Sequence, residues 1–197
     1  RKTVHAAAEL GISYLTLFGF SSENWKRPLE EIQELMGLLR FYLRKEIAEL
    51  NKNDVRFKVI GDKLSLDNDI RTMIKNAEKH TANNTGLTLI LALSYGSRAE
   101  LTEAVRQLSK KVISGHISIK DINENLVSQH LFTNEIPDPD LLIRTSGERR
   151  VSNFLLWQLA YAEFIFLDTL WPDFSASHLE EALAEFQGRD RRYGDTR

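Results

Sequence analysis

The chain has 197 residues, 42% of them apolar and 27% charged, which suits a folded domain with a sizeable core and excludes a disordered segment. Its 26 Lys and Arg against 28 Asp and Glu leave a formal charge of −2, which argues against a general nucleic-acid binder. With no cysteine there is no disulfide scaffold, zinc ribbon, thiol nucleophile or iron–sulfur cluster, and the chain suits a reducing compartment.

Residues 1–10 read as the end of a helix: Val4, Ala7, Ala8 and Leu10 share a roughly helical spacing, and Gly11 suits the position after the cap. A domain that opens inside a helix is expected to be N-terminally incomplete. Strands are predicted over residues 12–20, 55–60, 87–94, 140–145 and 163–167. Most are continuous apolar runs, the pattern of strands covered on both faces of a parallel sheet. Between them, residues 29–51 place Ile32, Leu35, Met36, Leu39, Leu43, Ile47 and Leu50 on one stripe of a long helix. Helices are also predicted over 66–81, 100–114 and 118–131. A last one over 177–187 would be capped by Ser177 with Glu180 and stopped by Gly188.

Alternating strands and helices predict an α/β fold: a single domain over residues 1–197, its mainly parallel β-sheet flanked by helices. The longest apolar run, 154–167, is interrupted by Gln158 and Glu163 and is too short to span a bilayer.

Ligands of open α/β sheets bind beyond the carboxyl ends of the strands. That directs attention to residues 21–27, 95–98, 145–152 and 170–174. Residues 144–153 hold Arg144, Arg149 and Arg150 with Ser146, Gly147 and Ser152. Two readings stand side by side there. Arg144 and Arg150 offer planar forks to a phosphate with Ser152 and backbone N–H groups completing the cradle, or the loop is solvated and its arginines pair with Glu148 and other carboxylates. Residues 21–28 carry Ser21, Asn24 and Arg27 as orienting polar groups and Trp25 as a cover for an apolar substrate. The alternative is a turn that caps the following helix. Glu163, flanked by Ala162 and Phe164, needs a partner for its carboxylate: a magnesium ion, or an arginine in a structural pair. The five histidines show no metal-ligand spacing. The tail 189–194 is a further basic cluster, either a solvated end or a donor to a neighbouring subunit's anion site.

Taken in order, Phe20-Ser-Ser-Glu-Asn-Trp-x-Arg-Pro28, Gly86-Leu-Thr-Leu89, Tyr95-Gly-Ser-Arg98, Asp140-Leu-Leu-Ile-Arg-Thr-Ser-Gly-Glu148 and Arg150-x-Ser-Asn-Phe-Leu-Leu-Trp157 form one set with Ala160-Tyr-Ala-Glu163, Leu170-Trp-Pro-Asp-Phe174 and Arg192-x-Gly194. The set resembles the cis-prenyltransferases of the undecaprenyl diphosphate synthase type. The resemblance implies that family's fold and a repeated head-to-tail condensation of isopentenyl diphosphate onto an allylic diphosphate, farnesyl diphosphate being the expected primer. It implies that Arg144, Arg150 and Ser152 hold the isopentenyl diphosphate, joined by Arg192 and Gly194 across a homodimer. It assigns Mg2+ to Glu163, and substrate orientation to Ser21, Ser22, Glu23, Asn24, Trp25 and Arg27, with Asn24 in the catalytic role. Leu15, Leu17, Gly19, Leu87 and Leu89 with the neighbouring helices would line an apolar tunnel, where Gly19 leaves room for a long product.

The resemblance further implies a cytoplasmic enzyme, peripheral at the inner face of the membrane that receives its product for cell-wall synthesis, with no transmembrane segment and no nucleic-acid partner. Two departures stand out. Ser97 replaces a glycine of the Tyr-Gly-Gly-Arg motif, and the family's Met-Asp-Gly-Asn-Gly-Arg-Trp-Ala loop, which carries the magnesium-binding aspartate, does not occur within residues 1–197. Those residues alone are therefore expected to turn over little or not at all. A non-catalytic accessory subunit of the same fold remains the alternative.

Overall fold

The computed structural model describes residues 1–189; Arg192 and Gly194 lie outside the described residues. It divides into two compact units, Tyr14–Pro137, and Arg1–Ser13 with Asp138–Arg197.

The Tyr14–Pro137 unit holds three parallel strands in the order β1-β3-β2, namely β1 (Tyr14–Ser21), β2 (Arg56–Ile60) and β3 (Thr88–Tyr95). β3 is central, and its continuous apolar sequence follows from that place: Ile90, Ala92 and Tyr95 are wholly buried. Leu15 and Leu17 of β1 stand opposite Leu89 and Leu91 of β3, so four leucines share one face. Four helices complete the unit: α2 (Leu29–Lys52), α3 (Asn68–His80), α4 (Ser97–Ile113) and α5 (Glu124–Ser128), while α1 (Lys2–Glu9) belongs to the other unit. On α2 the expected stripe is the buried one, led by Ile32, Met36 and Leu43. On α3, Ile70, Ile74 and Ala77 recur at helical spacing and are buried.

The outer edge of β2 is closed by side chains. The Phe57 N–H donates to Thr81 Oγ1 at 3.0 Å, the Val59 N–H donates to Glu78 Oε1 at 2.9 Å, and the Val55 carbonyl accepts from Asn84 Nδ2 at 2.8 Å. Glu78 Oε1 also receives Lys63 Nζ at 2.8 Å. Buried amides must find partners, and here α3 and the turn after it supply what a fourth strand would.

Arg40 of α2 binds Asp69 at 2.6 Å and Asp67 at 2.5 Å, tying α2 to the start of α3. The hydrogen bond from Arg40 lowers Asp69 from its ordinary 3.8 to about 2, against a smaller opposing effect of burial. A carboxyl depressed in the fold stabilises it above its unfolded value, and the contribution disappears as pH falls from about 4 to about 2. An acid titration of stability should show a loss in that window that Arg40→Ala removes. Salt should shrink the effect, since Asp69 is half exposed.

The second unit pairs β4 (Leu141–Arg144) with β5 (Glu163–Phe166), again in parallel, and packs α1 against α6 (Ala176–Gln187). All strand pairings among the described residues are thus parallel, as the apolar runs predict. Gly11 follows α1 with φ +72°, the left-handed conformation expected of it.

Two predicted elements differ. Residues 118–131 do not form one helix but a 3₁₀ turn, Ile119–Asp121, and the short α5. Side-chain bonds break the run: Asp121 accepts the Ser118 N–H at 2.7 Å and Asn123 accepts the Leu126 N–H at 2.9 Å, each starting a new turn. The last helix begins earlier than expected because Ser175 with His178, not Ser177 with Glu180, closes its capping box.

Candidate active site

Residues 21–27 follow β1 as a 3₁₀ turn, Ser22–Lys26. The Ser21 N–H donates to Asn24 Oδ1 at 2.9 Å, which folds the turn back on itself. Trp25 lies edge-on to Phe20, ring centroids 5.0 Å apart, and its indole Nε1–H donates to Ser94 Oγ at 2.8 Å. Ser22 Oγ reaches Glu23 at 3.2 Å, and Arg27 pairs with Glu31 of α2 at 2.6 Å. The turn closes on itself and gives the long helix after Pro28 no side-chain cap, so the helix-capping reading is not what the structure displays, while Ser21, Asn24 and Trp25 are brought to the carboxyl end of the sheet.

Ser94 itself has φ +47°, a conformation costly for a non-glycine residue. Its neighbour Tyr95 donates its hydroxyl to Glu100 Oε2 at 2.6 Å, and Glu100 Oε1 accepts the Phe132 N–H at 2.8 Å. Glu100 is buried, and these bonds help its carboxylate sit there. Ser97 opens α4 with an ordinary φ and is wholly buried, so no glycine is required at that position.

On the second unit, Arg144 ends β4 and is half-buried, and its guanidinium has neither an ion pair nor a hydrogen bond among the described residues. Arg150 pairs with Glu148 and is largely exposed, as the solvated-loop reading has it. Ser152 is exposed beside it. The loop is held by backbone: the Ser146 N–H donates to Thr169 O at 2.8 Å and the Gly147 N–H to Leu167 O at 2.9 Å. Ser146, Ser152, Asn153 and Leu155 all have positive φ, as does Gly147. Strain gathered in one loop is a mark of sites whose geometry is over-determined.

Glu163, at the start of β5, is bound by Arg189 at 2.7 Å, so the arginine reading of that carboxylate is the one the structure displays. The bond from Glu163, and then that from Glu185, raises Arg189 above its ordinary value. Among the described residues no cluster of three acidic or histidine side chains forms a metal cage. One carboxylate oxygen of Glu163 still carries no bond among those residues, which fits a magnesium ion that takes its remaining ligands from water and phosphate.

Leu15 and Leu17 are half-buried, and Leu87 and Leu89 are buried. The room at Gly19 is bounded, since a methyl group there would meet Leu91 Cδ1 at 2.9 Å. Ser94, Ser65 and Glu100 are not marked by the sequence motifs, although Ser94 stands directly before one; Arg189 belongs to the basic tail, but its pairing with Glu163 does not follow from that cluster.

Parallel strands with strained, polar turns at their carboxyl ends define an α/β protein built for a ligand at those ends. Residues 1–194 match the family described as putative undecaprenyl diphosphate synthase. An isoprenyl transferase of Agrobacterium fabrum is 50% identical over 194 residues, 98% of this chain and 78% of that protein. One of Porphyromonas gingivalis is 51% identical over 196 residues, 100% of this chain and 77% of its own length.

Among solved structures, lavandulyl diphosphate synthase of Lavandula x intermedia, in complex with dimethylallyl diphosphate, has a TM-score of 0.95 at 40% identity, covering 98% of this chain and 84% of that one. A probable undecaprenyl diphosphate synthase of Campylobacter jejuni gives 0.87 at 37% identity, covering 98% and 89%. The chain belongs to the undecaprenyl diphosphate synthase family of cis-prenyltransferases. No helix among the described residues is long and apolar enough to cross a membrane.

Proposed function

We propose that this chain elongates farnesyl diphosphate with isopentenyl diphosphate to a long cis-polyprenyl diphosphate of the undecaprenyl class. The observation that carries the reading is Arg144: a half-buried guanidinium at a strand's carboxyl end, beside a strained loop, with no carboxylate partner among the described residues. An uncompensated cation is suited to an anionic ligand, and its planar fork matches a phosphate.

Arg144 and the backbone N–H groups of residues 148–152 hold the isopentenyl diphosphate, with Arg150 and Ser152 at the rim. Arg150 reaches the ligand by exchanging Glu148 for it. Asn24 and Trp25 orient the reacting carbons, and Ser21, Ser22, Glu23 and Arg27 shape that turn. Glu163 would hold Mg2+, which would neutralise the charge of a departing diphosphate. In each cycle a carbon–carbon bond forms at the allylic carbon as its diphosphate leaves with the electron pair of the broken C–O bond, and a proton is lost from the isopentenyl unit. The apolar face of Leu15, Leu17, Leu89 and Leu91 borders the growing tail. Exposed Phe164 and Phe166, edge-to-face at 6.3 Å on one side of β5, support a homodimer, to which Arg192 and Gly194 would contribute.

The test uses radiolabelled isopentenyl diphosphate, farnesyl diphosphate and Mg2+ with a chain carrying a Met-Asp-Gly-Asn-Gly-Arg-Trp-Ala loop ahead of residue 1. Butanol-extractable polyprenyl diphosphate is expected. Absence of any polymer, with the fold intact by circular dichroism, refutes the reading.

A further inference from the structure

Three separate segments meet at one hydroxyl. Ser94 Oγ accepts the Trp25 indole N–H at 2.8 Å and lies 2.7 Å from Ser65 Oγ, which in turn lies 2.7 Å from the Asp62 carbonyl. The Asp62 N–H donates to the Ser94 carbonyl at 3.2 Å, so the turn after β2 is fastened to Ser94 through both backbone and side chain. Ser94 is buried, and its hydroxyl is engaged by both Trp25 and Ser65. Its φ of +47° is a conformation kept at a cost unless something requires it. An indole N–H can only donate, so Trp25 depends on this acceptor.

We propose that Ser94 is a positioning residue. Its strained backbone aims one oxygen at Trp25 and Ser65, and thereby sets where the 22–27 turn, with Asn24, stands at the end of the sheet. Ser65 braces Ser94. The role in catalysis rests on the prenyl-transfer reading above; the anchoring of Trp25 does not.

Ser94→Gly tests it, because glycine adopts the same φ freely and only the hydroxyl is lost. Ser94→Asn restores an acceptor in a residue that tolerates the left-handed region. In the 197-residue chain the Trp25 indole resonance, assigned by its absence in Trp25→Phe, and the amides of residues 22–27 are followed by hydrogen exchange. Loss of one net hydrogen bond is expected to speed exchange about fivefold in Ser94→Gly, with Ile90 and Ala92 amides unchanged and Ser94→Asn close to the parent.

In the loop-bearing chain of the functional test, farnesyl diphosphate is then titrated against the same indole signal, and its apparent affinity should fall by about the same factor, as the competent fraction falls. Unchanged exchange at the indole and the turn overturns the anchor. Faster exchange with unchanged farnesyl diphosphate affinity overturns the positioning role. A parent chain whose exchange obeys the prediction but which gives no farnesyl diphosphate response overturns the functional reading, and the positioning role with it, while the anchor stands.

Discussion

Replacing Arg144 with alanine is expected to weaken isopentenyl diphosphate binding by roughly 30-fold, the equivalent of ~2 kcal/mol for lost charge-assisted hydrogen bonds. The size of the effect follows from what surrounds the side chain. Arg144 ends β4 half-buried, and no carboxylate among the described residues neutralises it. The ligand would be its main counter-charge. Arg150 differs, because Glu148 already neutralises it and 65% of its side chain is exposed. Part of its interaction is spent exchanging partners and part is screened, so Arg150→Ala should cost only several-fold. Arg144→Lys should recover part of the loss, since charge is kept and the fork is not. Calorimetric titration of the three variants with isopentenyl diphosphate decides the order. Equal binding by the parent and Arg144→Ala would remove this residue from the site.

Gly61→Ala should destabilise the fold by ~3–5 kcal/mol or prevent it from forming. Gly61 has φ +116°, and a Cβ there would lie 2.0 Å from the Leu93 carbonyl oxygen. Neither the strand nor the turn can yield easily, because Asp62 and Ser65 are bonded to Ser94 directly beyond Leu93. Gly37 is the control. It sits inside α2 with nothing within 4 Å of a would-be Cβ, so Gly37→Ala should stabilise by ~0.5–1 kcal/mol. Urea denaturation of the two variants should move in opposite directions.

Much of this architecture is legible in the primary sequence, and the reason is local. All five strands lie where continuous apolar runs predict them, and α2 buries the stripe whose spacing announces it. Residues 118–131 fail because helical periodicity says nothing about Asp121 and Asn123 binding backbone N–H groups. The site divides the same way. The turn at 21–27 and the loop at 144–153 stand out by composition, but what holds them is remote in sequence. Trp25 and Ser94 are 69 residues apart, and Glu163 and Arg189 are 26 apart. Whether Glu163 sits beside a metal or an arginine depends on such a partner, and no pattern around Ala162 and Phe164 reveals it.

The side-chain closure of β2 also bears on how the protein behaves when crowded. An extended segment of another molecule can join a sheet only where amides and carbonyls are still on offer. Along β2 the outward N–H groups of Phe57 and Val59 are already taken by Thr81 and Glu78, and the Val55 carbonyl by Asn84. Those two amides are therefore withdrawn from templated pairing along that edge without a proline or a bulge. Thr81→Val would reopen one amide there, a change that matters more in a concentrated cell extract than in a dilute assay.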